Sequence, residues 1–332
     1  MPTLLGKEVG PTGYGLMGLT WREKPCSQEQ AFAALKTALK NGMNFWNGGE
    51  FYGPPEYNSL VLLERYFEKY PEDADKVVLS IKGGVNAHGG GPDGSPEGTR
   101  RSIDNCIAQL KGRKKIDMFE FARRDQNVPM KTTFEVIEKE YIQTGKIGGI
   151  SLSEVRAETI HEAAKITKIV AVEVELSLFS TEILENGVAD ACAQYDIPLV
   201  AYSPVGRGFL TGQIKTPEDV EKQGAHLLMF PMFQPGNFEI NLKLVTQVED
   251  LAAKKGCTPA QLAISWTKRL ATWRKGAPKT IIPIPGATTV ARIEENAVEV
   301  DISNDEMAQI DATLAKFQRA GKRYPDFVPT DT

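Results

Sequence analysis

The chain is poor in the residues that build disulfide and metal scaffolds. Its four cysteines, Cys26, Cys106, Cys192 and Cys257, stand far apart, and its three histidines, His88, His161 and His226, show no metal-ligand spacing. With no CxxC unit, a disulfide framework and a zinc centre are both excluded as organising principles, and a reducing compartment fits. No run of about 18 apolar residues exists, so no membrane-spanning helix is expected. Residues 1–7 lack the apolar core of a secretory leader, and the last four residues match neither a prenylation nor a peroxisomal signal, so the expected location is cytoplasmic. An excess of charge of one sign is also missing. Lys and Arg number 39 against 43 Asp and Glu, a net charge of −4, with no clustered basic face, which argues against nucleic acid and membrane surfaces as partners.

What is present is a large apolar fraction, 41% against 25% charged residues, enough to bury a sizeable core and inconsistent with disorder. Short β-branched runs alternate with segments of helical period. Strands are expected over 15–18, 43–47, 77–82, 116–121, 149–152, 169–175, 197–202 and 280–284, with helices between them over 29–39, 58–70, 98–110, 132–142 and 157–164. Ser27-Gln28-Glu29-Gln30 has the form of a capping box. Eight near-continuous apolar strands, each followed by a helix, imply a parallel sheet covered by helices, and eight is the number at which such a sheet closes into a (β/α)8 TIM barrel. Two excursions interrupt the alternation: a Gly- and Pro-rich stretch over 86–96 and a long loop after strand 7 over 204–235. A C-terminal helix over 305–317 and an irregular tail complete the chain, and no linker divides residues 1–332, so a single domain is expected.

Chemistry is expected at the C-terminal ends of the strands, where barrel enzymes keep it. Lys82 ends an apolar strand and is followed by Gly83-Gly84; Tyr52 follows Asn47-Gly48-Gly49 and precedes Gly53. Local sequence alone also allows a surface lysine and a packing tyrosine. Placed together, an ammonium favours the phenolate of a neighbouring tyrosine and brings it nearer working pH, which makes a general acid. The glycines of the 206–212 stretch let backbone amides approach a pyrophosphate, with Arg207 nearby. Arg292 suits a ribose 2′-phosphate, though its spacing to Glu295 equally suits a helix-surface ion pair. Gly13-x-Gly15-x-x-Gly18 spells a dinucleotide fingerprint, but no helix opens at the glycines and no acidic residue follows at the right distance, so it is discounted. His88, after Lys82, is the histidine expected nearest the site.

These residues are where the chain resembles the aldo-keto reductases. Gly13–Gly18, Phe45–Gly53 and Val77–Lys82 resemble that family's first three strands. Gly145-Lys146-Ile147 through Ser153-Glu154, Val172–Ser177 and Tyr202-Ser203-Pro204-Val205-Gly206-Arg207-Gly208 are similar to its cofactor segments. Thr258–Ala263 resembles a late helix of the family, and the stretch from Ile284 through Gly286, Thr288, Arg292, Glu295 and Asn296 its adenosine-phosphate segment. The resemblance implies an eight-stranded barrel that binds NADPH without a Rossmann domain and uses an Asp–Tyr–Lys–His tetrad. It implies Tyr52 as proton donor and Lys82 as its tuner. Ser153, Glu173, Tyr202, Ser203, Pro204, Gly206, Arg207, Gly286, Thr288, Arg292, Glu295 and Asn296 would hold the cofactor, and Trp21 and Arg123 the substrate.

Two positions depart from the pattern: Asn47 stands at the tetrad Asp and Ala122 at the tetrad His. Glu173 also stands where Gln is frequent, and Glu154 where Asn is. With Asn47 in place of an anion, Lys82 should act more fully on Tyr52 while being less securely held in its charged form, and Asn47 is expected to be a working member of the site that orients Lys82 through its carboxamide oxygen. Ala122 removes one donor, worth roughly 2.7–4 kcal/mol at an oxyanion. Together with Gly49–Gly53 and Val174–Ser180, these departures resemble the fungal pyridoxal reductase branch, which implies reduction of the aldehyde of pyridoxal to an alcohol with NADPH. Two rivals stay open: a cofactor-binding regulatory protein similar to potassium-channel β subunits, and a Schiff-base enzyme with Lys82 as nucleophile.

Overall fold

In the computed structural model, which describes residues 1–86 and 91–330, eight parallel strands follow one another around a barrel. They are β1 (Tyr14–Gly15), β2 (Phe45–Gly49), β3 (Val78–Gly83), β4 (Met118–Phe121), β5 (Ile150–Ser153), β6 (Ile169–Glu175), β7 (Leu199–Tyr202) and β8 (Ile281–Ile284). Each pairs with its sequence neighbour. Gly15 bridges to Gly286, and Gly13 N–H donates to Pro283 O at 2.9 Å, which joins the first strand to the last. The seam needs glycine: a Cβ on Gly15 would lie 2.9 Å from Ile284 O. Gly13 and Gly15 of the apparent dinucleotide fingerprint thus serve the strand closure, while Gly18 lies in the short helical turn Met17–Thr20.

Seven of the expected strands lie within about two residues of those observed, an ordinary boundary error. The first is corrected. The strand ends at Gly15, because Leu16 N–H donates to Asn47 O and Met17–Thr20 turns into a helical loop, so Met17 and Gly18 leave the ladder. The helices Gln28–Lys40, Ser59–Lys69, Pro96–Leu110 and Ala157–Ile166 carry apolar stripes against the barrel. Ser27 caps the first of these by accepting from Gln30 N–H. The expected capping box is incomplete, since the Gln30 side chain donates to Thr288 O at 2.8 Å instead. The fourth expected helix is α-helical only over Met130–Ile137 and continues as a wider turn over Glu138–Ile142.

Alternation along the strands divides the core in two. Outward residues pack beneath the helices, whereas Phe45, Val78, Met118, Ala171, Val200 and Ile282 fill the N-terminal end of the lumen, sealed by Leu4 and Val9 of an antiparallel hairpin (Thr3–Leu4 with Lys7–Glu8). The long loop after β7 is built from short turns and a helix over Pro217–Gln223, with Phe209, Met232 and Phe233 buried beneath it. Part of the 86–96 stretch pairs as Val85–Asn86 with Gly91–Pro92, but His88 lies outside the described residues.

The C-terminal helix runs over Asn304–Leu314, shorter than the expected 305–317. The tail beyond it is a strap across the C-terminal mouth. Ala320 exchanges two hydrogen bonds with the Asn241 side chain, Arg319 donates to Phe179 O and Ser180 Oγ, and Arg123 donates to Pro329 O.

Candidate active site

Two residues along β2, β4 and β6 from the apolar lumen layer, the side chains become polar. Asn47, Glu120 and Glu173 follow Phe45, Met118 and Ala171 at the same parity, and Lys82 lies one further step along β3. All four are buried, at 2%, 1%, 3% and 5% exposure, so water cannot solvate their charges. Lys82 Nζ pairs with Glu120 Oε1 at 2.8 Å and with Glu173 Oε1, and donates to Asn47 Oδ1 at 3.2 Å. Asn47 Nδ2 in turn donates to Glu120 Oε1 at 3.0 Å and Glu173 Oε2 at 2.6 Å.

This geometry overturns the expectation that the amide at Asn47 leaves Lys82 without an anion and loosely charged. Two carboxylates stand beside it. Burial alone would lower the lysine's pKa, but the charges of Glu120 and Glu173 outweigh burial and raise it. Glu120 is absent from the residues expected at the site, although a lone carboxylate between two phenylalanines of a buried strand, Phe119-Glu120-Phe121, is a signal that points to it. Burial, then the charge of Glu120, push Glu173 well above the usual carboxylate range.

Tyr52 is buried next to the strand that carries this group, its ring against Gly49, the register partner of Lys82. Gly49 makes room for its ring, since a Cβ there would meet Tyr52 Cγ at 2.8 Å. Thr20 Oγ1 donates to Tyr52 O at 2.6 Å, and Trp21 stacks on the ring with centroids 5.5 Å apart and planes at 26°. The field of Lys82 reaches the phenol and favours its ionisation. Burial is the larger effect, however, and the pKa is pushed up to about 12 rather than toward neutrality. The expectation that the ammonium brings the phenol nearer working pH is corrected accordingly: burial wins.

One layer higher lies a second ionic group, to which the strap contributes Arg323 and Tyr324. Arg323 pairs with Glu154 Oε2 at 2.8 Å and Glu175 Oε2 at 3.2 Å. Tyr202 Oη donates to Glu154 Oε1 at 2.8 Å and shares a hydrogen bond of 2.8 Å with Tyr324. Arg207 pairs with Glu175 at 2.9 Å, its guanidinium centre 4.1 Å from the Phe230 ring centroid and 4.6 Å from that of Tyr324. Ser203, Gly206, Arg207 and Gly208 all have positive φ, which folds the loop after β7 tightly back on the barrel end.

The remaining sequence candidates fall in four places. Gly286 and Thr288 lie beside the seam, Thr288 receiving the Gln30 amide. Arg292 forms the ion pair with Glu295 that its spacing allows, and Asn296 is buried on the same helix, Val290–Ala297. Arg123 is half-buried at the mouth, donating to Ala122 O and Pro329 O, with its guanidinium 5.7 Å from the Tyr324 ring centroid. Pro204 follows Ser203 at the exit of β7, inside the turn closed by the 2.9 Å hydrogen bond from Gly206 N–H to Ser203 O. Ala122 is buried and its N–H is spent on Gly83 O.

The residues expected around a nicotinamide dinucleotide fit such a group. Ser153 Oγ and Arg207 Nε are buried without a hydrogen-bond partner among the described residues, so each has bonding capacity to spare at the mouth. Both Glu173 oxygens, by contrast, are taken up by Lys82 and Asn47.

A parallel eight-stranded barrel with a buried lysine and a tyrosine at its C-terminal end defines a class of barrel enzyme whose chemistry sits in the loops. The chain belongs to the aldo/keto reductase family, whose model matches residues 11–315. It is 44% identical to "Probable pyridoxal reductase 2" of Schizosaccharomyces pombe, over 98% of this chain and 97% of that protein. It is 37% identical to "Putative pyridoxal reductase" of Saccharomyces cerevisiae, over 94% and 95%. Among solved structures, the glycerol dehydrogenase AKR11B4 from Gluconobacter oxydans superposes with a TM-score of 0.78 at 20% identity, covering 97% of this chain and 96% of that one. The family assignment makes the protein an oxidoreductase that acts on small carbonyl compounds with a nicotinamide cofactor. Among the described residues, no helix is long and apolar enough to cross a membrane.

Proposed function

We propose that the protein reduces an aldehyde to an alcohol with NADPH, that pyridoxal is the aldehyde, and that the whole chain, 1–332, works as one cytoplasmic barrel domain. The observation that carries this reading is a buried ammonium, Lys82, beside a buried phenol, Tyr52, under the Trp21 ring. The two named pyridoxal reductases support the choice of substrate.

A bound nicotinamide cofactor would supply the hydride that the carbonyl carbon accepts. Ser153 and Tyr202 would hold its nicotinamide end, the 203–207 turn with Arg207 its pyrophosphate, and Gly286, Thr288, Arg292, Glu295 and Asn296 its adenosine end. Tyr52 donates its proton to the carbonyl oxygen as charge develops there, and Lys82 stabilises the phenolate left behind. A phenol with its pKa pushed up to about 12 stays protonated at neutral pH, the form a donor needs. Trp21 keeps water from the ring, and Arg123 contacts the substrate at the mouth. Because Ala122 offers no side-chain donor, the reactive carbonyl depends on Tyr52 for its polarisation. An electron-poor aromatic aldehyde with its own phenolic oxygen beside the carbonyl needs the least help of this kind.

The test is a steady-state comparison of pyridoxal, 4-nitrobenzaldehyde and a keto steroid, each with NADPH and with NADH, followed at the nicotinamide absorbance. Preferred turnover of pyridoxal with NADPH, lost in Tyr52→Phe, supports the reading. Background rates with every aldehyde despite tight NADPH binding would replace it with a binding protein, and borohydride trapping of substrate on Lys82 would replace it with Schiff-base chemistry.

A further inference from the structure

Two buried carboxylates converge on one buried ammonium, and a single amide faces all three. The one acceptor atom of Asn47, Oδ1, meets the lysine at 3.2 Å, while its donor, Nδ2, meets Glu120 at 3.0 Å and Glu173 at 2.6 Å. Both carboxyl groups are thus held against the same Lys82 Nζ and accept from the same Asn47 Nδ2. Two carboxyl groups held this close inside a protein repel each other, and the ammonium and the amide donor placed between them offset that cost. The four residues come one each from β2, β3, β4 and β6, so the group is fixed by the barrel itself.

We infer that Glu120 and Glu173 act together as a single counter-ion for Lys82, with Asn47 as the amide that bridges them. The inference rests on the reading above, in which Lys82 serves Tyr52, and makes Glu120, Glu173 and Asn47 positioning residues. Its consequence is specific to the amide. An aspartate at position 47 is the same size and keeps an oxygen toward Lys82, but it turns a second oxygen against two carboxyl groups. The site then holds three acids and one base. With Glu120 and Glu173 both replaced by amides, the buried lysine has no anion, and an aspartate at position 47 becomes the counter-ion it lacks. The titratable groups facing Lys82 are Tyr52, Glu120 and Glu173.

The experiment compares wild type, Asn47→Asp, the double variant E120Q/E173Q and the triple variant N47D/E120Q/E173Q, by thermal unfolding against pH and by kcat and KM for aldehyde. Asn47→Asp is expected to lower kcat about tenfold and to lower the unfolding temperature at neutral pH, with the deficit shrinking on acidification as the third acid is protonated. E120Q/E173Q is expected to lose about 100-fold in kcat and to unfold earlier, because its lysine is buried without a counter-ion. The triple variant should recover about tenfold of that loss and most of the unfolding temperature. Wild-type behaviour of Asn47→Asp at neutral pH, or a triple variant no better than the double, overturns the inference. If the wild type reduces no aldehyde, the functional reading fails, and the unfolding measurements still decide the shared counter-ion.

Discussion

The two ends of the barrel lumen are made by the same strands and have opposite characters. At the N-terminal end Phe45, Val78, Met118, Ala171, Val200 and Ile282 form a dry apolar layer plugged by Leu4 and Val9. Two to four residues further along, the same inward positions carry Asn47, Lys82, Glu120, Glu173 and Tyr202. One end is stabilised by area removed from water, the other is held by ion pairs whose partners all come from other strands. The contrast teaches that one alternation serves both purposes, and that stability and chemistry are separated along each strand rather than among strands.

The comparison can be broken from either end. Phe45→Ala should open a cavity in the apolar layer and lower unfolding free energy by about 3–5 kcal/mol, measured by denaturant titration, while kcat per folded molecule stays near wild type. A matching loss of kcat would show that the two ends are not separable. Tyr52→Phe should do the reverse, lowering kcat by about 100-fold or more with little change in unfolding temperature at neutral pH.

The same variant sharpens the electrostatics. The Tyr52 pKa is raised in the folded protein, so its contribution to stability is complete below the ordinary value of 10.0 and is lost as pH climbs toward about 12. Wild type should therefore lose stability relative to Tyr52→Phe across that alkaline interval, and parallel curves would remove the buried phenol from the account. Arg323→Ala tests the strap. Burial works against ionisation of Glu154, but Arg323 outweighs it and lowers the pKa, so this pair stabilises above the usual carboxylate range and the benefit fades as pH falls through the lowered value. The variant should cost about 2 kcal/mol at neutral pH and expose the tail to limited proteolysis. Smallest is Trp21→Ala, which removes an aromatic stack worth about 0.5–1.5 kcal/mol and should raise KM for aldehyde by a few fold.

Much of the barrel is legible in the sequence because buried parallel strands read as β-branched runs: the run Ile169–Glu175 and the strand β6 have the same bounds. Lys82 and Tyr52 are legible from their places after a strand and between glycines. Glu120 is not, because the parity that points it into the lumen depends on where the fourth strand begins, and the family pattern draws the eye to Ala122 instead. The strap is not legible either. Residues 319–329 have no period, and their partners, such as Glu154 and Asn241, are brought near only by the completed fold.

The seam between Gly15 and Gly286 has a consequence for how the chain matures. Since the first strand meets the last, the cylinder cannot shut until nearly the whole polypeptide has left the ribosome. Until β8 is in place, the edge between β1 and β8 leaves the lumen around the lysine and its two acids open to water.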